Sequence, residues 1–207
     1  MAIENLSQLN DMHIDVLKEI GNIGAGNAAT SLSQMLNREV DMVMPAVRIL
    51  DISEADRALG GPETPVVAIL SELTGDISGI MMFVIKQDFT QLLLKALLGE
   101  SVTNCANLSD MEYSALSEIG NIMIGSYAAS IATLSNLELK ISVPAVTADM
   151  VGALLTVPAA EMSSVSDKII FIEDDFLSES KTISANMMLI PDIASLNKLM
   201  NSLGIQL

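Results

Sequence analysis

Apolar residues near the start of the chain recur at helical spacing. Within "MHIDVLKEIGNI" (12–23), Val16, Leu17, Ile20 and Ile23 fall on one side of a helix, outside the arc that holds Asp15, Glu19 and Asn22. Downstream the period shortens. "ELTGDISGIMMFVI" (72–85) is the clearest hairpin, two apolar runs either side of Gly75 and Gly79. Strands are predicted near 40–50, 65–72, 78–86, 138–149, 166–173 and 183–190. "ISEADRALGGPE" (52–63) reads as a short helix closed by Gly60–Gly61.

The pattern then repeats. "EIGNIGAGNAA" (19–29) returns as "EIGNIMIGSYAA" (118–129) at an offset of 99, and Pro45 in "VMPAV" returns as Pro144 in "SVPAV". "MMFVIKQDFTQLLLKALLG" (81–99) likewise resembles "MMLIPDIASLNKLMNSLG" (187–204). Each half reads as a helix, a strand through the proline, a hairpin and a short helix. The second long helix has a capping box at its start, Ser109 with Glu112. Two copies are too few for a solenoid, so the halves, about 1–104 and 105–207, are expected to share one core. The fold class is α/β: a single pseudo-twofold domain with two long helices side by side over a mainly antiparallel sheet. "TVPAAEMSSVS" differs from the first half's 52–63, which limits how far one half predicts the other.

Residues 24–29, "GAGNAA", fit G-x-G-x-x-A, a dinucleotide-binding fingerprint. That motif needs a strand before it, and here a helical pattern precedes it. The second copy also has Met123 where the first has Gly24. The stretch is therefore read as a helix containing small residues.

What both copies keep is polar. At about 100° per residue, Asp15, Glu19, Asn22 and Gly26 span an arc of roughly 60°. Ser114, Glu118, Asn121 and Gly125 repeat it. Glu and Asn three apart sit with Cβ atoms about 5–6 Å from each other. Glycine inside a helix costs about 1 kcal/mol against alanine, so either another surface or another helix must come close. A solvated face and a tight helix crossing explain these residues as well as a site does. The residues alone define two equivalent polar patches, each able to orient a water and pair with a cation.

Composition narrows the functions. The net charge of −16 argues against nucleic acid and anionic membrane as partners. One cysteine, Cys105, lies in a polar linker, which excludes a disulfide framework and suits a reducing compartment. "MAIENLSQLND" has no export signal and no apolar run reaches membrane-spanning length, so a soluble cytoplasmic protein is expected. His13 is the only histidine; it lies within a turn of Asp15, which makes it a candidate for the rim of the first patch, but an ordinary surface histidine is the preferred reading. "IEDDFLSES" (172–180) is acidic but lacks the spacing of a calcium loop, and reads as a solvated hairpin tip.

The spacing Asp/Ser-x-x-x-Glu-x-x-Asn with a later proline resembles the signature of the CheC/CheX/FliY phosphatase family. It occurs as Asp15, Glu19, Asn22 and Pro45, and again as Ser114, Glu118, Asn121 and Pro144. The resemblance covers essentially the whole chain. Two motifs, with the chain stopping at "NSLGIQL", resemble the two-site members more than the single-motif dimers or those with an added flagellar-switch domain.

The resemblance implies hydrolysis of the aspartyl phosphate on the response regulator CheY. Glu19, Asn22, Glu118 and Asn121 would be catalytic, the asparagines orienting the attacking water and the glutamates meeting the regulator's lysine. Asp15, Ser114, Gly26 and Gly125 would help docking, and the two prolines would shape strand starts. No metal or cofactor of its own is implied, since Mg²⁺ would reside on the regulator. It further implies binding of the receptor deamidase CheD, and the chain is expected to act as a monomer. A second reading keeps the docking and drops most of the turnover: a binding module for CheD that responds to phosphorylated CheY.

Overall fold

The computed structural model describes residues 4–43, 45–99, 105–162, 168–178 and 181–205. Helix α1 (Asp11–Leu36) is followed by β1 (Asp41–Met42), β2 (Ala46–Asp51) and the short α2 (Ile52–Leu59). A hairpin, β3 (Pro65–Gly75) and β4 (Gly79–Lys86), leads into α3 (Gln87–Leu98). The second half runs α4 (Asp110–Ser135), β5 (Leu139–Ile141), β6 (Ala145–Met150), α5 (Val151–Leu154) and α6 (Thr156–Met162). It closes with the hairpin β7 (Lys168–Ser178) and β8 (Lys181–Pro191), then α7 (Ile193–Ser202).

The strands form one antiparallel sheet in the order β1-β7-β8-β4-β3-β5, with β2 also on β7 and β6 also on β3. The order reads the same from either end. β4 and β8 pair at the centre, where Met82 stands opposite Met188, the residue that matches it in the other half. Each half sends its proline-led strands across to the other half's hairpin, so neither half completes its own share of the sheet.

Period-two alternation assigns the side chains of each strand to two faces. Val67, Ile69, Met81, Phe83 and Met187 join Leu17, Ile20, Leu116 and Ile119 of the long helices, with α3 and α7, in the larger core. Val66, Ala68, Met82, Val84 and Met188 pack on the other face against Ala55 and Leu59 of α2 and Val151 and Leu154 of α5. Burial on both faces explains why these strands read as continuous apolar runs although the sheet is antiparallel.

The predicted hairpin is present, with Gly75 and Gly79 both at positive φ, +106° and +154°. The predicted strand at 40–50 is broken instead: β1 and β2 flank 43–45, because a proline cannot donate to the ladder. Residues 138–149 divide in the same way before Pro144.

Two expectations are corrected. Cys105, read as lying in a polar linker, is buried; burial raises its thiol pKa, which makes it a poor nucleophile. Most of the acidic segment 172–180 is strand β7, and Asp174 is fully buried within it; 179–180 lie outside the described residues.

Candidate functional site: two polar stripes on paired helices

α1 and α4 begin with the same device built from different residues. The Ser109 side chain caps α4, and Glu112 returns a bond to the Ser109 N–H at 2.6 Å, which lowers the Glu112 pKa. In α1 the Asn10 side chain accepts from the N–H groups of Met12 and His13, and the Asn10 N–H donates to His13 Nδ1 at 3.1 Å. His13 is thus a capping residue and only 3% exposed, not the surface histidine that the sequence suggested. Its imidazole fills the place that glutamate holds in α4. Burial lowers its pKa.

Both helices run 26 residues, and both end on an asparagine in the left-handed conformation, Asn37 and Asn136. The helices cross where side chains are small. A Cβ added at Gly24 would lie 2.7 Å from Cδ1 of Tyr127, so the tyrosine ring occupies space that only glycine leaves. The matching positions in the other direction are Ala28 and Met123, both fully buried in the same cluster. Small and large residues are exchanged across the pseudo-twofold. Gly120 and Gly21 have a different task, holding the helices onto the sheet: a Cβ at Gly120 would collide with Ile69, and one at Gly21 would come within 3.3 Å of Val47.

The face turned away from the sheet carries the polar stripes. Asp15, Glu19 and Asn22 are exposed on α1, as are Ser114, Glu118 and Asn121 on α4. Asp15 pairs with Lys18 at 2.9 Å, and the Ser114 hydroxyl donates to the Asp110 carbonyl at 2.9 Å. Among the described residues, neither the two glutamates nor the two asparagine side chains have an intramolecular hydrogen bond. An amide can donate and accept at once, so both groups stand ready for an external partner.

Gly26 and Gly125 fall on this outer side. A Cβ at Gly26 would meet nothing within 4 Å, and one at Gly125 would meet only Ile141 Cδ1 at 3.7 Å. Internal packing accounts for Gly21, Gly24 and Gly120 but not for these two. Pro45 leads into β2 and Pro144 into β6, as expected of strand-shaping residues. Pro45 Cγ lies 3.8 Å from the Cβ position of Gly21, next to Asn22, so the proline loop abuts the first stripe.

Sequence reasoning missed the pair Tyr127 and Asp174. The tyrosine hydroxyl donates to the buried carboxylate behind the helix crossing. A tyrosine at the position of Ala28 was the available signal, since the larger ring needs both a facing glycine and a partner for its hydroxyl.

The paired helices thus present two equivalent exposed polar stripes over a sheet that the halves build jointly. The chain belongs to the CheC-like family, whose model matches residues 12–49 and 111–147, the two stretches that carry the stripes and the prolines. It is 34% identical to the CheY-P phosphatase CheC of Bacillus subtilis over 203 residues, covering 96% of this chain and 97% of that protein. It is also 34% identical to the flagellar motor switch phosphatase FliY of the same organism, over 70% of this chain and 38% of that protein. Among solved structures, FliY of Thermotoga maritima matches with a TM-score of 0.75 at 23% identity, covering 96% of this chain and 100% of that one. The middle domain of FliM from H. pylori matches at 0.67 and 12% identity, over 94% and 99%. These two likenesses concern the fold. Among the described residues no helix is long and apolar enough to cross a membrane.

Proposed function

We propose that this chain is a hydrolase that dephosphorylates the chemotaxis response regulator CheY at its aspartyl phosphate. The observation that carries the reading is the pair of exposed Glu–Asn couples, Glu19 with Asn22 and Glu118 with Asn121, whose side chains have no hydrogen-bond partner among the described residues. The kinship to a CheY-P phosphatase along nearly the full length of both chains supports it.

Phosphoryl transfer needs positioning and charge neutralisation more than covalent catalysis. In this reading each Asn amide orients a water in line with the scissile P–O bond. The water oxygen bonds to phosphorus, the aspartate oxygen leaves as carboxylate, and inorganic phosphate departs. Glu19 and Glu118 pair with a lysine of the regulator and set the docking register. Mg²⁺ belongs to the regulator, and this chain contributes no metal or cofactor of its own. Asp15, Ser114, Gly26 and Gly125 help seat the partner. The protein acts as a cytoplasmic monomer, one domain of two homologous halves, and also binds the deamidase CheD.

Phosphate release from phosphorylated CheY with Mg²⁺ tests the reading. Asn22→Ala and Asn121→Ala should each keep the activity of the remaining site. The double variant should lose nearly all turnover yet still bind, because the lost interaction is made mainly in the transition state. A double variant as fast as wild type removes the asparagines from the mechanism. A wild type without phosphate release would leave the binding-module reading, in which CheY-phosphate regulates the CheD complex.

A further inference from the structure

Each stripe begins with a large apolar side chain standing in water. Met12 is 61% exposed and Met111 is 67% exposed, and the two occupy matching positions of α1 and α4. At about 100° per residue Met12 lies roughly 20° from Glu19, so methionine, glutamate and asparagine form one line about 15 Å long. Val43 and Val143, in the segments that lead to Pro45 and Pro144, are exposed as well, Val143 to 87%.

Divergence between the helices isolates these residues. Among positions exposed on both helices, Asp15 and Ser114 differ, as do Thr30 and Ala129, and Gln34 and Thr133. Asp11 and Asp110, Met12 and Met111, Glu19 and Glu118, and Asn22 and Asn121 are the same. A methionine that leaves most of its surface in water adds little to folding, so packing does not account for its presence in both helices. A flexible, polarizable thioether is well suited to fill a recess on another protein.

We propose that Met12 and Met111 are apolar anchors that seat the phosphorylated regulator on each stripe, in a recess next to the lysine that meets Glu19 or Glu118. This rests on the reading of the stripes as docking sites for CheY. Charge selects the kind of occupant. Asp11, Asp15 and Glu19 surround the first anchor, and the whole chain carries a net charge of −16. A second copy would bring the same acids together, whereas a partner with a lysine beside an apolar recess complements both features.

The test is the double variant Met12→Ser with Met111→Ser, compared with Met→Leu at both positions and with Val157→Ser, an exposed apolar residue on α6. Affinity for phosphorylated CheY is measured by titration, and KM and kcat by phosphate release. The serine variant should weaken affinity about tenfold and raise KM in step, with kcat within about twofold of wild type. Leucine should restore most of the binding, and Val157→Ser should leave both parameters unchanged. Unaltered affinity in the serine variant overturns the proposal, and so does a leucine variant as weak as serine. A wild-type dimer that the serine variant converts to monomer would assign the methionines to self-association instead. Lack of phosphate release by wild type would sink the phosphatase reading alone, because the titration still tests the anchors.

Discussion

The Tyr127 hydroxyl donates to both carboxylate oxygens of Asp174, at 2.7 and 2.6 Å, in the buried space between α4 and the sheet. The same ring fills the gap left by Gly24 on α1, so one side chain joins both long helices to β7. The other half has no such pair, because the small apolar Ala28 stands where Tyr127 does.

Burial pushes the Asp174 pKa up to about 7, with Asp175 adding to the rise and the Tyr127 hydrogen bond opposing it. The folded state therefore favours the protonated acid. Its contribution is fully present below the unfolded pKa, near 4, and is lost as pH rises from there through about 7. Asp174→Asn keeps an acceptor for the tyrosine and removes the charge. Urea unfolding should show this variant gaining on wild type between pH 4 and 8, by at most a few kcal/mol at about 1.4 per pKa unit. A constant difference across that range would mean that Asp174 does not titrate in the folded protein.

His13 should act in the opposite direction. Its pKa is lowered by burial, and its Nδ1 must be unprotonated to accept from the Asn10 N–H. Its contribution is present above the unfolded value of about 6.5 and is lost as pH falls through the depressed folded one. His13→Gln preserves a capping side chain without the titration. Between pH 7.5 and 5, wild type should lose stability relative to this variant, by about 1 kcal/mol, a typical value for a helix cap. Parallel unfolding curves would remove the histidine from the acid response.

Glycine substitutions should separate packing from docking. Gly24→Ala meets the Tyr127 ring and Gly120→Ala meets Ile69, so both should lower stability, by about 1–3 kcal/mol as overpacked positions do. Gly26→Ala has open space and gains helix propensity, so it should raise the melting temperature slightly. If Gly26 instead proves as costly to replace as Gly24, the outer face is covered by something within the protein. Slower phosphate release by a Gly26→Ala protein that is more stable than wild type would support close approach of the regulator there.

Charge reversal tests the register of docking. Glu19→Lys with Glu118→Lys places like charges against the regulator's lysine, which should weaken binding by tenfold or more. Both glutamates are exposed and their side chains have no hydrogen-bond partner among the described residues, so the fold should be unaffected. Calorimetry that finds unchanged affinity in the double variant would move the contact off the stripes.

Much of this protein was legible without coordinates because its signals are local. Helical periodicity, the Ser109–Glu112 box, the glycine-flanked hairpin and the 99-residue offset depend on neighbours a few positions apart or on simple repetition. The stripe of Glu19, Asn22 and Gly26 needed only the 3.6-residue period. Tertiary structure alone decided the rest. Nothing in the sequence distinguishes glycines that admit a neighbouring ring (Gly24) or clear a strand side chain (Gly120) from the one that faces open space (Gly26), because the difference lies in what stands opposite. The exchange of proline-led strands between halves depends on sheet edges hundreds of chain atoms away. Asp174 looked like one acid among several in a polar run, and His13 like a lone surface histidine. Both are buried, because a side chain's environment depends on which distant elements close over it, and only the assembled core provides that.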